Sequence, residues 1–144
     1  MTEPIVTVEG LKKLFPVQRG MFRKPTDFIH AVDDVNFSIA PGESLGLVGE
    51  SGCGKTTTGR MLVKLEEATD GQILLQTGGE MIDIAHIRKE DMKDFRRRVQ
   101  MIFQDPYESM NPRRTIFDTV AEPLQVQGIG TVQEREERVA QLLE

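Results

Sequence analysis

Gly49-Glu50-Ser51-Gly52-Cys53-Gly54-Lys55-Thr56 is the stretch of this chain whose residue types and spacing are best suited to chemistry. It fits G-x-x-x-x-G-K-S/T at every fixed position and lies between a short apolar run and a helix-forming stretch, the context that such a loop requires. Small residues let successive backbone N–H groups converge on phosphate oxygens, and the following helix offers its unpaired first amides and the positive end of its dipole. Lys55 supplies a mobile point charge for β- and γ-phosphates. The Thr56 hydroxyl is a hard oxygen ligand suited to a bridging Mg²⁺. A glycine-rich turn that binds nothing is the competing reading, and the flanking strand and helix patterns weigh against it.

Other residues invite weaker readings. Gln104 directly follows the apolar run Val99 to Phe103, which places it at the carboxyl end of an expected parallel strand, where ligands of such sheets bind. Cys53 inside the glycine loop reads as a small filler rather than a redox switch. Arg96, Arg97 and Arg98 read as a solvated helix face rather than a phosphate or RNA site. His30 and His86 show no carboxylate or second histidine at ligand spacing and are taken as structural or surface residues.

The elements that must position these groups follow from periodicity. Ile5 to Gly10 alternates apolar and polar residues and predicts a half-buried strand, with a second strand at Val35 to Ala40. Residues 12–30, with Pro16, Gly20 and Pro25, predict a long loop or hairpin extension. Pro41, Gly42 and Glu43 predict a turn, and Ser44 to Gly49 a buried strand. Lys55 to about Glu67 predicts a helix with Met61, Leu62 and Leu65 on one face, and Gly71 to Gln76 a strand. The charged stretch Asp83 to Arg98 predicts one or two short surface helices, and Val99 to Phe103 a compact strand. Gln104 to Arg114 reads as an ordered or switching loop. Helical periodicity resumes from Thr115 to about Val126, and Thr131 with Glu134 forms a capping box that opens a last helix through Leu143. Its apolar stripe of Val139, Leu142 and Leu143 has no evident partner downstream.

Composition bounds the class. The 144 residues are 38% hydrophobic, which with 13 glycines is ordinary for one globular domain able to bury a real core. Lys and Arg number 18 against 23 Asp and Glu, a net charge of −5 that disfavours a general polyanion binder and predicts no nucleic-acid partner. No stretch has the length and apolarity of a spanning helix, and the first residues lack a signal-peptide layout, so a soluble, cytoplasmic chain is expected. One cysteine allows no internal disulfide, which fits a reducing compartment.

The loop Gly49 to Thr57, followed about fifty residues later by the run from Val99 through Arg113, resembles the ATP-binding subunit of ABC transporters, and within them the oligopeptide and dipeptide importer group. The segment Ser109 to Arg113 resembles the S-x-N-P stretch of that group, although nickel importers and some phosphonate-metabolism ATPases look similar there. The resemblance implies ATP and Mg²⁺ as cofactors. It places Phe15 against the adenine, Gly49, Glu50, Ser51, Gly52, Cys53, Gly54, Lys55, Thr56 and Thr57 around the phosphates, and Thr56 and Gln104 at the metal. It also implies an α/β P-loop NTPase fold, with an antiparallel β portion over 1–40, the P-loop core over 41–104 and the start of a helical subdomain over 105–144. The expected partners are a second ATP-binding subunit, as homo- or heterodimer, transmembrane permease subunits, and through the complex a periplasmic or extracellular solute-binding protein. The expected location is peripheral, on the cytoplasmic face of the membrane.

The family's later motifs do not occur in this sequence. No S-G-G-Q pattern is present, and no run of four apolar residues ends in Asp-Glu. The expectation is therefore a fold truncated before the signature motif, with no catalytic residue of its own. The readings left open are peptide import driven by ATP hydrolysis in the intact protein, a nucleotide-binding fragment without hydrolysis, and an ATPase subunit for another solute such as nickel. A soluble kinase fits the stretch from Gln104 to Arg113 poorly, and a DNA-maintenance ATPase would show heptads that residues 115–143 lack.

Overall fold

Alternating burial along the first strand carries it well past its β-branched start. In this computed structural model, which describes residues 3–17, 27–104 and 110–144, β1 spans Val6–Val17 and β2 spans Asp27–Ile39. The two pair antiparallel from Val6↔Ile39 to Val17↔Asp27. Of the stretch expected as a long loop or hairpin extension, residues 12–17 and 27–30 are paired strand, as a hairpin extension would have them, and the centre lies outside the described residues. The strand persists because three register shifts between Val8 and Leu14 absorb the irregular sequence and twist the ribbon. Beyond it come β3 (Asp70–Thr77) and β4 (Glu80–Asp83), giving a four-stranded antiparallel sheet of order β2-β1-β3-β4. β4 escaped the sequence reading because four residues around a Gly78-Gly79 turn are too few to show a period.

Gly71 shows why the sheet needs glycine at one crossing. It has φ +90°, and a Cβ there would stand 2.4 Å from the Gly10 carbonyl oxygen. β1 and β3 approach backbone to backbone at this point.

α1 (Lys55–Leu62) lies against the sheet, with Met61 in a core that also contains Val8, Leu11, Val32, Ile73, Leu75, Ile84 and Phe95. Each such side chain contributes about 2 kcal/mol of transfer free energy. α1 stops five residues short of the expected end at Glu67. Lys64 takes the left-handed conformation at φ 55°, its amide bonds back to the Met61 carbonyl, and the Leu65 amide reaches the Arg60 carbonyl at 2.8 Å. This paired closure normally uses glycine. Here the Lys64 ammonium donates to the Ala85 carbonyl at 2.6 Å and pairs with Glu67, which holds the strained residue in place. Leu65, expected on the buried face, is consequently exposed.

The charged middle forms a 3-10 turn over Ile84–His86 and α2 over Met92–Arg98, with Ile84 and Phe95 buried. Arg96, Arg97 and Arg98 are exposed, and Arg98 pairs with Asp94 at 2.9 Å. The two histidines do have carboxylate neighbours, contrary to expectation. His86 Nδ1 lies 2.7 Å from Asp83 Oδ2, and His30 Nδ1 lies 3.6 Å from Asp33 Oδ2. The signal was an aspartate three residues away in each case. Among the described residues no group of three or more His, Cys, Asp or Glu side chains is placed to hold a metal ion.

The two expected core strands, Ser44 to Gly49 and Val99 to Phe103, are not strands here. No strand pairs with either among the described residues, and Val48 and Ile102 are 94% and 97% exposed. An apolar run of this kind forms a strand only when neighbours cover it, so the correction lies in the missing partners and not in the local pattern.

The chain divides into two compact units, Met1–Gln100 and Met101–Glu144. The second holds α3 (Ile116–Gln127) and α4 (Val132–Leu143). Both open with a complete capping box, Thr115 with Asp118 and Thr131 with Glu134. α3 tolerates Pro123 in its interior and ends on Gly128 in the left-handed conformation. Ala121 and Val139 are fully buried, so Val139 does find cover, whereas Leu142 and Leu143 stay exposed. No described helix is long and apolar enough to cross a membrane.

Asp83 organises the 3-10 turn. Burial raises the pKa of its carboxyl, but the hydrogen bond from His86 and those from the Ile73 and Ala85 amides outweigh that and hold it below 3.8. A depressed pKa stabilises the fold above the unfolded value and loses that contribution as pH falls through the folded one. Urea midpoints measured from pH 6 to 2 should therefore drop below about pH 4, and Asp83→Asn should flatten part of that drop.

Candidate functional site

The glycine loop is shaped by one close approach. Gly54, the residue before α1, has φ +91°, and a Cβ there would stand 2.2 Å from the Ala31 carbonyl oxygen and 3.2 Å from Val32 Cγ2 on β2. Only glycine lets the loop enter α1 at that angle and distance. Gly52 also has positive φ, at +84°, with open space around it. A Cβ on Gly49 would fall 2.6 Å from Cys53 Sγ, so the two ends of the loop close on each other.

Lys55 folds back over this loop. Its ammonium donates to the carbonyls of Gly49 at 2.8 Å and Glu50 at 2.6 Å, and stands 3.4 Å from Cys53 Sγ. The charge is thus held by backbone oxygens, and no carboxylate is paired with it among the described residues. α1 has no acidic residue in its first turn and no side chain capping its N-terminus. Its first amides therefore keep their donor capacity, while Thr58 satisfies itself through the Gly54 carbonyl at 2.8 Å and 3.0 Å. Glu50, Ser51, Gly52, Cys53 and Thr56 are exposed, and Lys55 and Thr57 are half-buried. An exposed loop with a central ammonium and an uncapped helix start can accept a polyanion.

Phe15 lies towards the end of β1, opposite Ile29 of β2, two residues from the Ala31 carbonyl against which Gly54 packs. The residue is 37% exposed. Phe15 thus lies on the same β1–β2 ribbon against which Gly54 of the glycine loop packs. Gln104 is exposed and belongs to the second unit. Residues 105–109, the first part of the expected loop after it, lie outside the described residues. One residue near Phe15, Lys13, was missed from sequence. Lys13 is nearly buried, and its ammonium meets Glu66 Oε1 at 2.6 Å and the Glu67 carbonyl at 2.7 Å. Its only signal was a lysine at an inward-facing position of an alternating strand.

Comparison with known proteins supplies the context. The family profile described as ABC transporter matches residues 32–144. Two relatives from Bacillus subtilis, the oligopeptide transport ATP-binding proteins AppF and OppF, are 43% and 48% identical over 98% and 100% of this chain, and 42% and 44% of their own lengths. The glutathione import ATP-binding protein GsiA of Salmonella typhimurium is 45% identical over 99% of this chain and 22% of its own length. The chain thus spans less than half the length of these relatives. Among solved structures, the ATP-binding cassette MJ0796 in a dimeric post-hydrolysis state bound to ADP and Pi superposes with a TM-score of 0.68 at 22% identity, covering 94% of this chain and 54% of that one. A second dimeric structure of MJ0796 gives 0.69 at the same identity, over 92% and 53%. These likenesses establish the fold.

The shape of the loop makes a direct prediction. Gly54→Ala must relieve a 2.2 Å clash with backbone in a conformation disfavoured for alanine, so it should cost about 2 kcal/mol or more of unfolding free energy. Urea melts check this, with Gly52→Ala, which has open space, expected to cost less.

Proposed function

This chain belongs to the ABC transporter family, its profile match running over residues 32–144, and on that premise we propose that it grips ATP for a subunit that drives import of oligopeptides. The observation that carries the reading is the Lys55 ammonium held by the Gly49 and Glu50 carbonyls in a loop that Gly54 seats against β2. When the β- and γ-phosphates enter, Lys55 exchanges loop carbonyls for phosphate oxygens, a charge-assisted gain over its neutral partners. The amides from Ser51 to Thr57 close around the anion. Glu50 belongs to the same loop and contributes its backbone. The exposed Thr56 hydroxyl would be the oxygen ligand for Mg²⁺, which would supply charge neutralisation. Phe15 stacks on the adenine. Gln104 is the further residue proposed to sense the metal and γ-phosphate.

Peptides are the favoured cargo because the relatives at 43% to 48% identity are named for oligopeptide transport, and the one at 45% for import of glutathione, itself a short peptide. The partners that follow are a second ATP-binding subunit, membrane permease subunits and an external solute-binding protein, with the chain at the cytoplasmic face of the membrane. A second reading, binding without turnover by this chain alone, is favoured by the absence of S-G-G-Q and of an apolar run ending in Asp-Glu from the 144 residues. Phosphoryl transfer to water depends on a group that orients the water and on stabilisation of developing charge.

Titration calorimetry with Mg·ATP on this chain and on Lys55→Ala, with phosphate release followed in the same samples, tests both readings. Saturable binding weakened at least about tenfold in the variant is expected, the loss of a charge-assisted contact, together with no phosphate release. Equal binding by both chains would overturn the phosphate-loop assignment. Lys55-dependent phosphate release would overturn the second reading.

A further inference from the structure

We propose that Lys13 is a positioning residue for the nucleobase, its clamped ammonium fixing one face of the Phe15 ring so that the other face receives an electron-rich purine. The proposal rests on the nucleotide-binding reading of the glycine loop and extends it to the base.

Lys13 is only 9% exposed. A lysine buried to that degree must have its protons satisfied. Two directions are taken by Glu66 Oε1 at 2.6 Å and the Glu67 carbonyl at 2.7 Å. With the ammonium aimed by these two acceptors, its remaining contact is the Phe15 ring, whose centroid is 4.9 Å away. Lys13 and Phe15 are two residues apart on β1 and so share one face of the strand, about 7 Å apart along it. The ammonium thus stands over the ring of a residue that is itself exposed.

A cation held on one face draws π density towards itself. The opposite face then offers a better stacking partner to an electron-rich heteroaromatic such as a purine than an isolated phenyl ring would. Position matters as much as electronics. Glu66 and Glu67 follow directly on the left-handed closure of α1, so the clamp ties the ring to the far end of the helix whose first turn carries the phosphate loop. At the near end, Gly54 packs against Ala31 and Val32, and Val32 is the strand partner of Lys13. Both ends of α1 therefore brace the ribbon that bears Phe15.

The experiment compares two ligands, Mg·ATP and Mg·tripolyphosphate, on this chain and on Lys13→Met, Lys13→Arg, Glu66→Gln and Lys55→Ala. Lys13→Met should weaken ATP about five- to tenfold and leave tripolyphosphate unchanged, whereas Lys55→Ala should weaken both. Lys13→Arg should recover most of the ATP affinity, because charge and reach are kept. Circular dichroism melts accompany each variant. Should Lys13→Met fail to fold, Glu66→Gln carries the comparison, with a smaller ATP-selective loss expected because the clamp loosens while lysine stays. An equal loss for both ligands, or no loss for ATP, in a folded variant would overturn the role of Lys13 alone. No binding of either ligand by the unaltered chain would instead overturn the nucleotide-binding reading on which it rests.

Discussion

The approach of Gly54 to the carbonyl of Ala31 is the constraint on which the rest of the site depends. Two backbones meet there at a distance that no Cβ could share, in a conformation that only glycine adopts without strain. This contact decides where α1 begins, and so where its unpaired amides point. It also turns the preceding loop so that the carbonyls of Gly49 and Glu50 face inward, onto the Lys55 ammonium. A loop that holds its own lysine through backbone oxygens is already arranged for an anion.

The other end of α1 is secured by different means. Lys64 occupies a left-handed position that usually belongs to glycine, and its side chain reaches the Ala85 carbonyl in the 3-10 turn. Asp83 accepts from the Ala85 and Ile73 amides and from His86, so the same turn is fastened to β3. Lys13 meanwhile reaches Glu66 and Glu67 from β1. Three buried or half-buried polar groups, each with at least two partners, thus hold the exit of the helix while backbone packing holds its entrance. Satisfied polar contacts of this type confer a unique arrangement more than raw stability.

Much of the site was legible in the sequence because phosphate-loop chemistry demands fixed residues at fixed spacing, and Gly49, Gly54, Lys55 and Thr56 carry it. The capping box of Thr131 and Glu134 was legible for the same reason, since its geometry is local. Failures arose where the outcome depends on distant chain. The runs Ser44 to Gly49 and Val99 to Phe103 have strand composition, yet a doubly buried strand exists only with neighbours, and none pairs with them among the described residues. α1 was read too long because Lys64, a good helix former, breaks the helix through a tertiary bond to Ala85 that no local pattern announces. The long β1–β2 ribbon was hidden by Pro16, whose missing N–H a twisted, irregular ribbon tolerates. Lys13 belongs to no motif, and only the fold turns it inward.

The most direct test of this account is the amide spectrum of the isotope-labelled chain as Mg·ATP is added. Binding at the loop predicts the largest shifts at the amides of Glu50 to Thr57, with the Lys55 side-chain resonance moving at the same ligand concentration as its ammonium leaves the Gly49 and Glu50 carbonyls. Shifts confined to other parts of the chain, with these amides and Lys55 unmoved at saturation, would contradict it.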